Sequence, residues 1–265
     1  MNIIIPIKQV PETSDVKMDE KTGTMVREGV ESIINPLDLY AIEVGIKLKE
    51  EYGGKITVIT MGPLSAEKAL KEAIAMGCDD GVLISGKEFA GSDTWATSYV
   101  LSKAIKKIKI FDLILTGERA TDSDTGQVGP GIASFLDLPV SAYTSKIIEI
   151  SSKSIVVERL IEEGYETLKM PLPALLSVIK EISYPRLPTL RGKQRARKID
   201  IPVWSKSNMK LNPLKLGLNG SPTRVVKITH PQVIRKGTIF NITDERSLNE
   251  AVNKMIIFMR RKELI

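Results

Sequence analysis

The sequence predicts an α/β fold: an open, mostly parallel sheet with crossover helices, an antiparallel addition and an extended C-terminal arm. Short apolar runs alternate with longer segments of helical period up to residue 140, a pattern typical of parallel strands joined by helices. Between residues 145 and 179 the period changes to two. From Tyr184 onward the regular pattern fades into a segment rich in Pro, Arg, Lys and Asn.

The parallel strands are predicted from four short apolar runs. Runs of this length that are apolar throughout are typical of strands buried on both faces at the centre of a parallel sheet. The predicted strands are residues 2–8, 55–61, 81–85 and 111–116.

The helices between these strands are predicted from capping residues. Asn, Ser, Thr and Asp side chains accept hydrogen bonds from the free N–H groups of a first turn, Pro is favoured at the first helical position, and Gly closes a last turn. The expected N-terminal caps are Asn35 before Pro36, Ser65, and Asp93 or Thr94. The expected ends are Gly53-Gly54, Met76 before Gly77, and Ile108, and a fourth helix is expected from near Gly126 to before Pro139.

Four segments of period two follow, and we predict that they form antiparallel strands added to the parallel sheet. They are residues 145–150, 154–161, 166–170 and 174–179, with turns at Ser151-Ser152 and Glu163-Gly164.

The C-terminal segment is predicted as an arm. About 60 residues with little structure of their own are uncommon inside a compact domain, so we interpret the segment as packing on a partner subunit. It ends in an amphipathic helix, residues 246–261. A disordered tail is the alternative, but such tails usually carry fewer apolar anchors than Trp204, Leu211, Leu214, Leu216, Leu218, Val225, Val226, Ile228 and Ile239.

Composition excludes several classes of protein. A single Cys78 forms no internal disulfide, and with a single His230 no zinc site of the Cys/His type can be assembled from the chain. The N-terminus lacks the pattern of a secretory signal, and no apolar run reaches the length of about 18 residues that a membrane helix needs. We expect a soluble, cytoplasmic protein with no membrane insertion.

The net charge of +6 conceals two parts of opposite sign. Residues 1–180 carry 20 basic and 26 acidic side chains, a net charge of −6, whereas residues 181–265 carry 18 and 6, a net charge of +12. The sequence therefore consists of an acidic folded part and a basic C-terminal part.

The candidate site follows from the predicted strands, because ligands of open parallel sheets bind at the carboxyl ends of the strands near the point where strand order reverses. The loop of residues 117–130 is the most informative. It follows a buried strand, is rich in small and hydroxyl residues, and enters a helix through Gly126. Free N–H groups and a partial positive charge at that helix start favour a phosphate.

Two common phosphate loops are excluded, since there is neither a Gly-x-x-x-x-Gly-Lys-Ser/Thr motif nor a Gly-x-Gly-x-x-Gly motif after the first strand. Asp122 and Asp124 are open to two interpretations: they bind Mg²⁺, or they cap backbone N–H groups or contact ligand hydroxyls. No base lies near a candidate nucleophile in sequence, so we expect no catalytic residue in this chain and favour no metal.

The basic segment, residues 185–198, holds six cationic side chains and no acidic one. Nucleic-acid binding, a solvated loop and docking to an acidic protein are the three interpretations. No aromatic residue interleaves for base stacking, and Leu187 and Leu190 are apolar residues within a charged loop, as in protein docking sites. We therefore favour docking through Leu187, Leu190 and Arg191 and expect no nucleic-acid partner.

Five motifs together resemble the β subunit of electron-transfer flavoproteins. They are Ile7-Lys8-Gln9-Val10-Pro11, Ile34-Asn35-Pro36-Leu37-Asp38, Met61-Gly62-Pro63, the loop of residues 117–130, and Pro185-Arg186-Leu187-Pro188-Thr189-Leu190. The resemblance spans essentially the whole chain. It implies an adenine-nucleotide α-hydrolase-like fold, a heterodimer with a flavin-binding α subunit, and an arm that wraps this partner. The organisation implied is a nucleotide-binding domain (1–184), a basic docking loop (185–198) and an arm with a helix (199–265).

The resemblance also implies a bound nucleotide: structural AMP or, in flavin-based electron-bifurcating members, FAD. Its phosphates are held mainly by backbone N–H and hydroxyl groups, which argues against the metal. The expected cofactor-binding residues, by family match and by position at strand ends, are Pro6, Asn35, Asp38, Met61, Gly62, Asp93, Thr94, Thr97, Arg119, Ala120, Thr121, Asp122, Ser123, Asp124, Thr125, Gly126, Gln127, Val128 and Gly129.

Three segments look like the bifurcating branch: residues 126–130, residues 92–97 and Leu190-Arg191-Gly192-Lys193. The resemblance then implies that FAD accepts a hydride from NADH and that the electrons are divided between the α-subunit flavin, which serves a flavin dehydrogenase, and ferredoxin. One residue departs from this branch, Leu37 where an Asp is common. The alternatives are a non-bifurcating β subunit with AMP and a non-catalytic adenine-nucleotide-binding module.

Overall fold

The computed structural model describes residues 1–12, 32–226 and 237–265, which fall into two compact units, residues 1–227 and 228–265. The elements of the first unit are, in chain order, β1 (Asn2–Pro6), β2 (Gln9–Pro11), β3 (Ser32–Ile34), α1 (Asp38–Tyr52), β4 (Lys55–Met61), α2 (Glu67–Met76), β5 (Asp80–Ile84), α3 (Thr94–Ile108), β6 (Leu113–Gly117), α4 (Val128–Leu136), β7 (Val140–Ile150), β8 (Ser154–Ile161), β9 (Gly164–Pro171), β10 (Ala174–Val178), α5 (Leu190–Lys198), β11 (Val203–Trp204) and α6 (Gly217–Gly220). The second unit contains α7 (Glu245–Arg261).

A nine-stranded sheet forms the centre of the first unit, in the order β11-β5-β4-β1-β6-β10-β7-β8-β9. The strands from β11 to β7 pair in parallel, and β8 and β9 continue the sheet antiparallel. This confirms the predicted open, mostly parallel sheet with an antiparallel addition. After β1, the strands β4 and β5 are added in turn towards one edge of the sheet. The next strand, β6, lies on the opposite side of β1, so the strand order reverses between β1 and β6.

Alternate residues of the central strands face two apolar clusters on opposite sides of the sheet. One cluster joins Ile3, Ile5 and Leu115 with apolar residues of α1 and α2. The other joins Ile4 and Ile114 with residues of α3 and α4. The sheet is therefore covered on both faces, as the continuous apolar character of its strands requires.

The predicted parallel strands and the end of α3 are confirmed to within a few residues, but the last predicted antiparallel strand is wrong in direction. Residues 174–178 form β10, which pairs in parallel with both β6 and β7. All five of its residues are buried. A strand buried on both faces has no exposed side to alternate with, so its period contains no information on direction.

The capping predictions had mixed outcomes. Asp93 caps α3, since its Oδ1 accepts a hydrogen bond of 2.9 Å from Ala96 N–H. Asn35 does not cap α1, which begins at Asp38, and Ser65 does not cap α2, which follows a short turn of tighter helix. Gly53 and Gly77 end α1 and α2 with φ of 68° and 147°, as predicted for glycine at these positions.

The predicted loop within the basic segment is wrong, because residues 190–198 form α5. Thr189 caps this helix by accepting a hydrogen bond of 2.9 Å from Gly192 N–H. Only Ala196 of α5 is buried, against α2. A helix that buries a single small side chain has no apolar period for the sequence analysis to detect.

Residues 199–221, expected as part of the arm, lie instead on the sheet of their own unit. Val203 and Trp204 add β11 to the edge of β5. Met209 and Leu216 are buried in the cluster beneath α3, and Leu211 packs beside them. These anchors therefore complete the chain's own core. Leu214, Leu218, Val225 and Val226 are exposed.

The second unit confirms the predicted C-terminal helix. Asp244 caps α7, with Oδ1 accepting a hydrogen bond of 2.7 Å from Ser247 N–H. Its apolar side chains Leu248, Val252, Met255 and Phe258 recur at helical spacing and are exposed within this chain. His230 and Ile228 lie outside the described residues. None of the helices in the described ranges is both long and apolar enough to span a membrane.

Gly192 provides a test of how α5 packs. A Cβ there would overlap the carbonyl oxygen of Ala75 in α2. In a free helix Gly→Ala stabilises by about 1 kcal/mol, whereas a clash with backbone destabilises by roughly 1–3 kcal/mol. We expect Gly192→Ala to lower the free energy of unfolding in a urea titration. Gly237→Ala, where a Cβ meets nothing within 4 Å, is the control. A stabilised Gly192→Ala variant would contradict this packing.

Candidate functional site

The candidate site lies at the carboxyl ends of β1 and β6, where the strand order reverses. We call residues 118–127, which join β6 to α4, the switch loop. Its neighbours are the residues after β1 and the first residues of α1, α3 and α4. The location predicted from strand ends is thus the place where these segments meet.

Asn35 holds the switch loop from below. Its side chain is 1% exposed, its Nδ2 donates to the carbonyl of Arg119 at 2.9 Å, and its Oδ1 accepts from Thr121 N–H at 3.1 Å. Its own N–H donates to the carbonyl of Lys8 at 2.8 Å. Asn35 therefore lies against the switch loop, and its amide fixes the backbone of the loop.

Asp38 is buried at the start of α1. Its Oδ2 accepts a hydrogen bond of 2.7 Å from Lys8 N–H, and a Cβ at Gly117 would lie 2.5 Å from its Oδ1. Burial raises the pKa of this carboxyl from 3.8 to about 7, although hydrogen bonds from Lys8, Asn35 and Gly117 act in the opposite direction. Asp38 therefore joins β1, α1 and β6 through a carboxyl group that titrates near neutrality.

Asp122 and Asp124 turn to different cations. Asp122 Oδ1 lies 2.6 Å from Lys8 Nζ and also accepts a hydrogen bond of 3.0 Å from Ser123 Oγ. Asp124 Oδ1 lies 3.0 Å from Arg119 Nε, which also approaches Glu118. Neither carboxylate caps α4, whose N-cap residue makes no side-chain cap hydrogen bond. The geometry thus favours neither the shared metal nor the capping interpretation.

Lys8 is a residue whose role the sequence analysis missed. It follows β1 by two residues, within residues 6–9, which the strand-end rule places at this edge of the sheet, but it is not among the expected cofactor-binding residues. Its ammonium contacts both Asp122 and Ser123.

The backbone of the switch loop leads into α4, whose first N–H groups are not capped by a side chain. Ser123 N–H and Asp124 N–H donate to the carbonyl of Ala120 at 3.3 and 2.8 Å. Asp124 and Gly126 then take φ of 53° and 62°. The first N–H groups of α4, those of Val128 and Gly129, have no acceptor within the helix. They can therefore bind an anion.

The starts of α3 and α4 lie side by side. Thr94 Oγ1 donates to Gln127 Oε1 at 2.8 Å, and Ser98 Oγ donates to the carbonyl of Val128 at 3.2 Å. Thr97 is half-buried, three residues after Thr94 in α3. Asp93 is occupied with capping and with Thr223, whose N–H and Oγ donate to its Oδ2. The structure thus brings the predicted hydroxyl residues of α3 to the uncapped, positive start of α4.

The remaining predicted residues line the same edge of the sheet. Pro6 is buried at the end of β1, and Met61 is half-buried at the end of β4. The N–H of Gly62 donates to the carbonyl of Ile84, so it is not free to bind a ligand. Thr121, Ser123 and Thr125 are exposed on the switch loop.

A nucleotide fits this donor set. Thr116 Oγ1 is buried without a hydrogen-bond partner among the described residues, and a Cβ at Gly129 would lie 2.7 Å from it. Only a residue without a side chain leaves room between β6 and the first turn of α4. Hydroxyl groups and the free N–H groups at the start of α4 are donors that phosphates and ribose prefer.

The basic segment has two kinds of cation. Arg186 is an internal clamp: its backbone N–H and Nε donate to Glu43 at 3.0 and 2.9 Å, and its Nη2 donates to Glu50 at 3.0 Å. Arg195 donates to the carbonyl groups of Ile74 and Cys78 at the end of α2. Arg191, in contrast, is exposed, as are Leu187 and Leu190, at 86% and 82%.

Asp38 makes stability depend on pH. Its folded-state pKa lies above the unfolded value, so its stabilising contribution is complete below about pH 4 and is lost as pH rises through about 7. Asp38→Asn keeps an acceptor oxygen without the charge. We expect its free energy of unfolding, from urea titrations, to fall less than that of the wild type between about pH 5 and pH 7. Asp200→Asn, at an exposed carboxyl, is the control. Equal pH dependence of Asp38→Asn and wild type would refute the assignment.

Comparison with known proteins identifies the family. Residues 22–209 match the family model described as electron transfer flavoprotein domain. An electron transfer flavoprotein subunit beta of Thermoanaerobacterium thermosaccharolyticum is 44% identical over 266 residues, covering 100% of both chains. The caffeyl-CoA reductase-Etf complex subunit CarD of Acetobacterium woodii is 41% identical, again over 100% of both chains. Protein FixA of Azotobacter vinelandii is 41% identical over 88% of this chain and 85% of its own.

The order of the motifs, the sheet with its reversal between β1 and β6, and these full-length similarities agree with one another. The chain belongs to the electron transfer flavoprotein family, as a β subunit.

Proposed function

We propose that this electron transfer flavoprotein subunit binds FAD at the switch loop and, with an α subunit, takes electrons from NADH and bifurcates them to a dehydrogenase and ferredoxin. The observation that carries the proposal is the similarity, over the full length of both chains, to a subunit of a caffeyl-CoA reductase-Etf complex. That name describes an electron transfer flavoprotein assembled with a reductase that acts on a CoA ester.

The chain's own residues supply the phosphate site in this proposal. The N–H groups of Val128 and Gly129 bind the phosphate oxygens, because the start of α4 has no side-chain cap to compete for them. Gly126, with φ of 62°, turns the switch loop into that helix without a side chain in the way. Thr121 and Ser123 offer hydroxyl groups at the rim.

The neighbouring helix α3 accommodates a ligand longer than AMP. Thr94 lies beside Gln127, and Thr97 follows three residues later in α3; in this proposal their hydroxyl groups hydrogen-bond to groups beyond the first phosphate. Bound FAD supplies the redox chemistry, which is hydride acceptance from a nicotinamide and delivery of single electrons. The protein orients it and surrounds it with helix ends and hydroxyl groups. AMP, the alternative occupant, uses the same phosphate donors and leaves Thr94 and Thr97 without a ligand.

The nucleotide content of the purified heterodimer tests this choice. Bound nucleotides can be released by heat, separated by chromatography and counted against protein. We expect two FAD for each α and β pair. One FAD with one AMP would refute bifurcation while leaving the nucleotide site in place, and one FAD with no second nucleotide would refute both.

We assign two surfaces to protein partners. Helix α7 exposes an apolar stripe that includes Leu248, Val252 and Met255. An exposed apolar surface of this kind is typical of an interface, and we assign it to binding of the α subunit. We assign the surface around Leu187 and Leu190, beside the cations of α5, to binding of the dehydrogenase. Apolar anchors surrounded by polar groups are typical of protein interfaces. The Arg186 clamp fixes the backbone between Tyr184 and Leu187.

Leu190→Ala tests the dehydrogenase surface. Truncating one of the few residues that dominate an interface costs about 2 kcal/mol or more, and we assign Leu190 this role. We therefore expect the rate of electron transfer to the dehydrogenase at limiting concentration to fall about tenfold or more. Bound nucleotide should not change. Leu214→Ala, also 82% exposed but outside the basic segment, is the matched control. Equal rates for both variants, or nucleotide loss in Leu190→Ala, would argue against this surface.

A further inference from the structure

We propose that Lys8 is a positioning residue that acts through Asp122 to hold the switch loop in its nucleotide-binding form. The proposal rests on the assignment of the switch loop as the nucleotide site. It assigns Lys8 no contact with the nucleotide.

The backbone of Lys8 is fixed on both sides. Its N–H donates to Asp38 Oδ2 at 2.7 Å, and its carbonyl accepts from Asn35 N–H at 2.8 Å. Both partners are buried. The Lys8 side chain therefore starts from a point that cannot shift without breaking buried hydrogen bonds.

From that point the ammonium group reaches the middle of the switch loop, 114 residues later in the sequence. Lys8 Nζ lies 2.6 Å from Asp122 Oδ1 and 3.3 Å from Ser123 Oγ. The Asp122 side chain is 9% exposed, compared with 42% for that of Lys8. A carboxylate this poorly hydrated needs its cation more than an ordinary surface ion pair does.

Within the described residues, three side chains outside the switch loop bond to it. Asn35 holds its first part through Arg119 and Thr121, Lys8 holds the next two residues, and Thr94 holds its last residue, Gln127. The loop's own cation, Arg119, pairs with Glu118 and Asp124, both of which belong to the loop itself. Lys8 is therefore the charged link between the loop and β1 in this part of the structure.

This link determines which form of the loop the nucleotide meets. The ammonium group of Lys8 pairs with Asp122 and therefore does not bind the nucleotide. The phosphate of the nucleotide is bound instead by the N–H groups at the start of α4. Fixing the loop before binding removes an ordering cost that would otherwise weaken the affinity for the nucleotide. Loss of either partner should weaken binding to the same extent, since both losses free the same loop.

A double-mutant cycle tests the proposal. The β-subunit site of the heterodimer is freed of nucleotide by dialysis while the α-subunit flavin is retained. The dissociation constants of FAD and of AMP at the β-subunit site are then measured for wild type, Lys8→Met, Asp122→Asn and the double variant. We expect about a tenfold weakening in each single variant and no further weakening in the double variant, with Lys8→Arg close to wild type. Lys153→Met, at an exposed hairpin turn, is the control for loss of one positive charge.

Hydrogen exchange gives a readout without nucleotide. We expect faster exchange of the backbone amides of residues 121–125 in Lys8→Met and Asp122→Asn and unchanged exchange in β4 and β6. Additive effects on affinity, or a loss in Lys8→Met that Asp122→Asn does not share, would overturn the proposal, because Lys8 would then act on the nucleotide directly. If the wild type binds neither FAD nor AMP, the nucleotide assignment itself fails.

Discussion

The buried hydrogen bonds of Asn35 are the constraint on which the site depends. An amide that is 1% exposed has no water to bind, so its bonds to Arg119 and Thr121 cannot be exchanged for hydration without cost. They tie the loop after β6 to the segment before α1. Asp38 adds a second buried polar link to the same place. Because β1 and β6 are neighbours in the sheet, segments that are far apart in sequence meet here and give the loop one conformation.

The central sheet was largely predictable, because a strand buried on both faces must be apolar throughout and its sequence therefore stands out. The same property concealed the direction of β10, since strands of either direction look alike when no face is exposed. α5 escaped prediction for the opposite reason. Its stability comes from a cap at Thr189 and from contacts of Arg195 with carbonyl groups of α2, and neither produces an apolar period.

The meeting of these loops at the carboxyl ends of the strands was predictable from topology, but the contacts of their side chains were not. Asn is a residue type that often caps helices, but Asn35 instead holds the switch loop. The reason is that a turn through Pro36 precedes α1, which begins only at Asp38. Asp is a residue type that often binds metal ions, yet Asp122 forms an ion pair with Lys8, which lies 114 residues away in the sequence. Contacts between side chains that are distant in sequence depend on the order of the strands in the sheet. No local sequence pattern indicates that order. Thr94 and Gln127 are brought together in the same way.

Helix α1 carries both of the proposed functional surfaces. Its first residue, Asp38, is bonded to the site, and Glu43 and Glu50, two turns apart, hold Arg186 beside Leu187. The backbone from Asp38 to Glu50 rises about 18 Å along a single rigid rod. The proposed cofactor site and the proposed docking surface are thus attached to one rigid helix and are not joined by a flexible linker. In the proposed function, the length of this helix therefore sets the separation between the bound cofactor and the docked dehydrogenase.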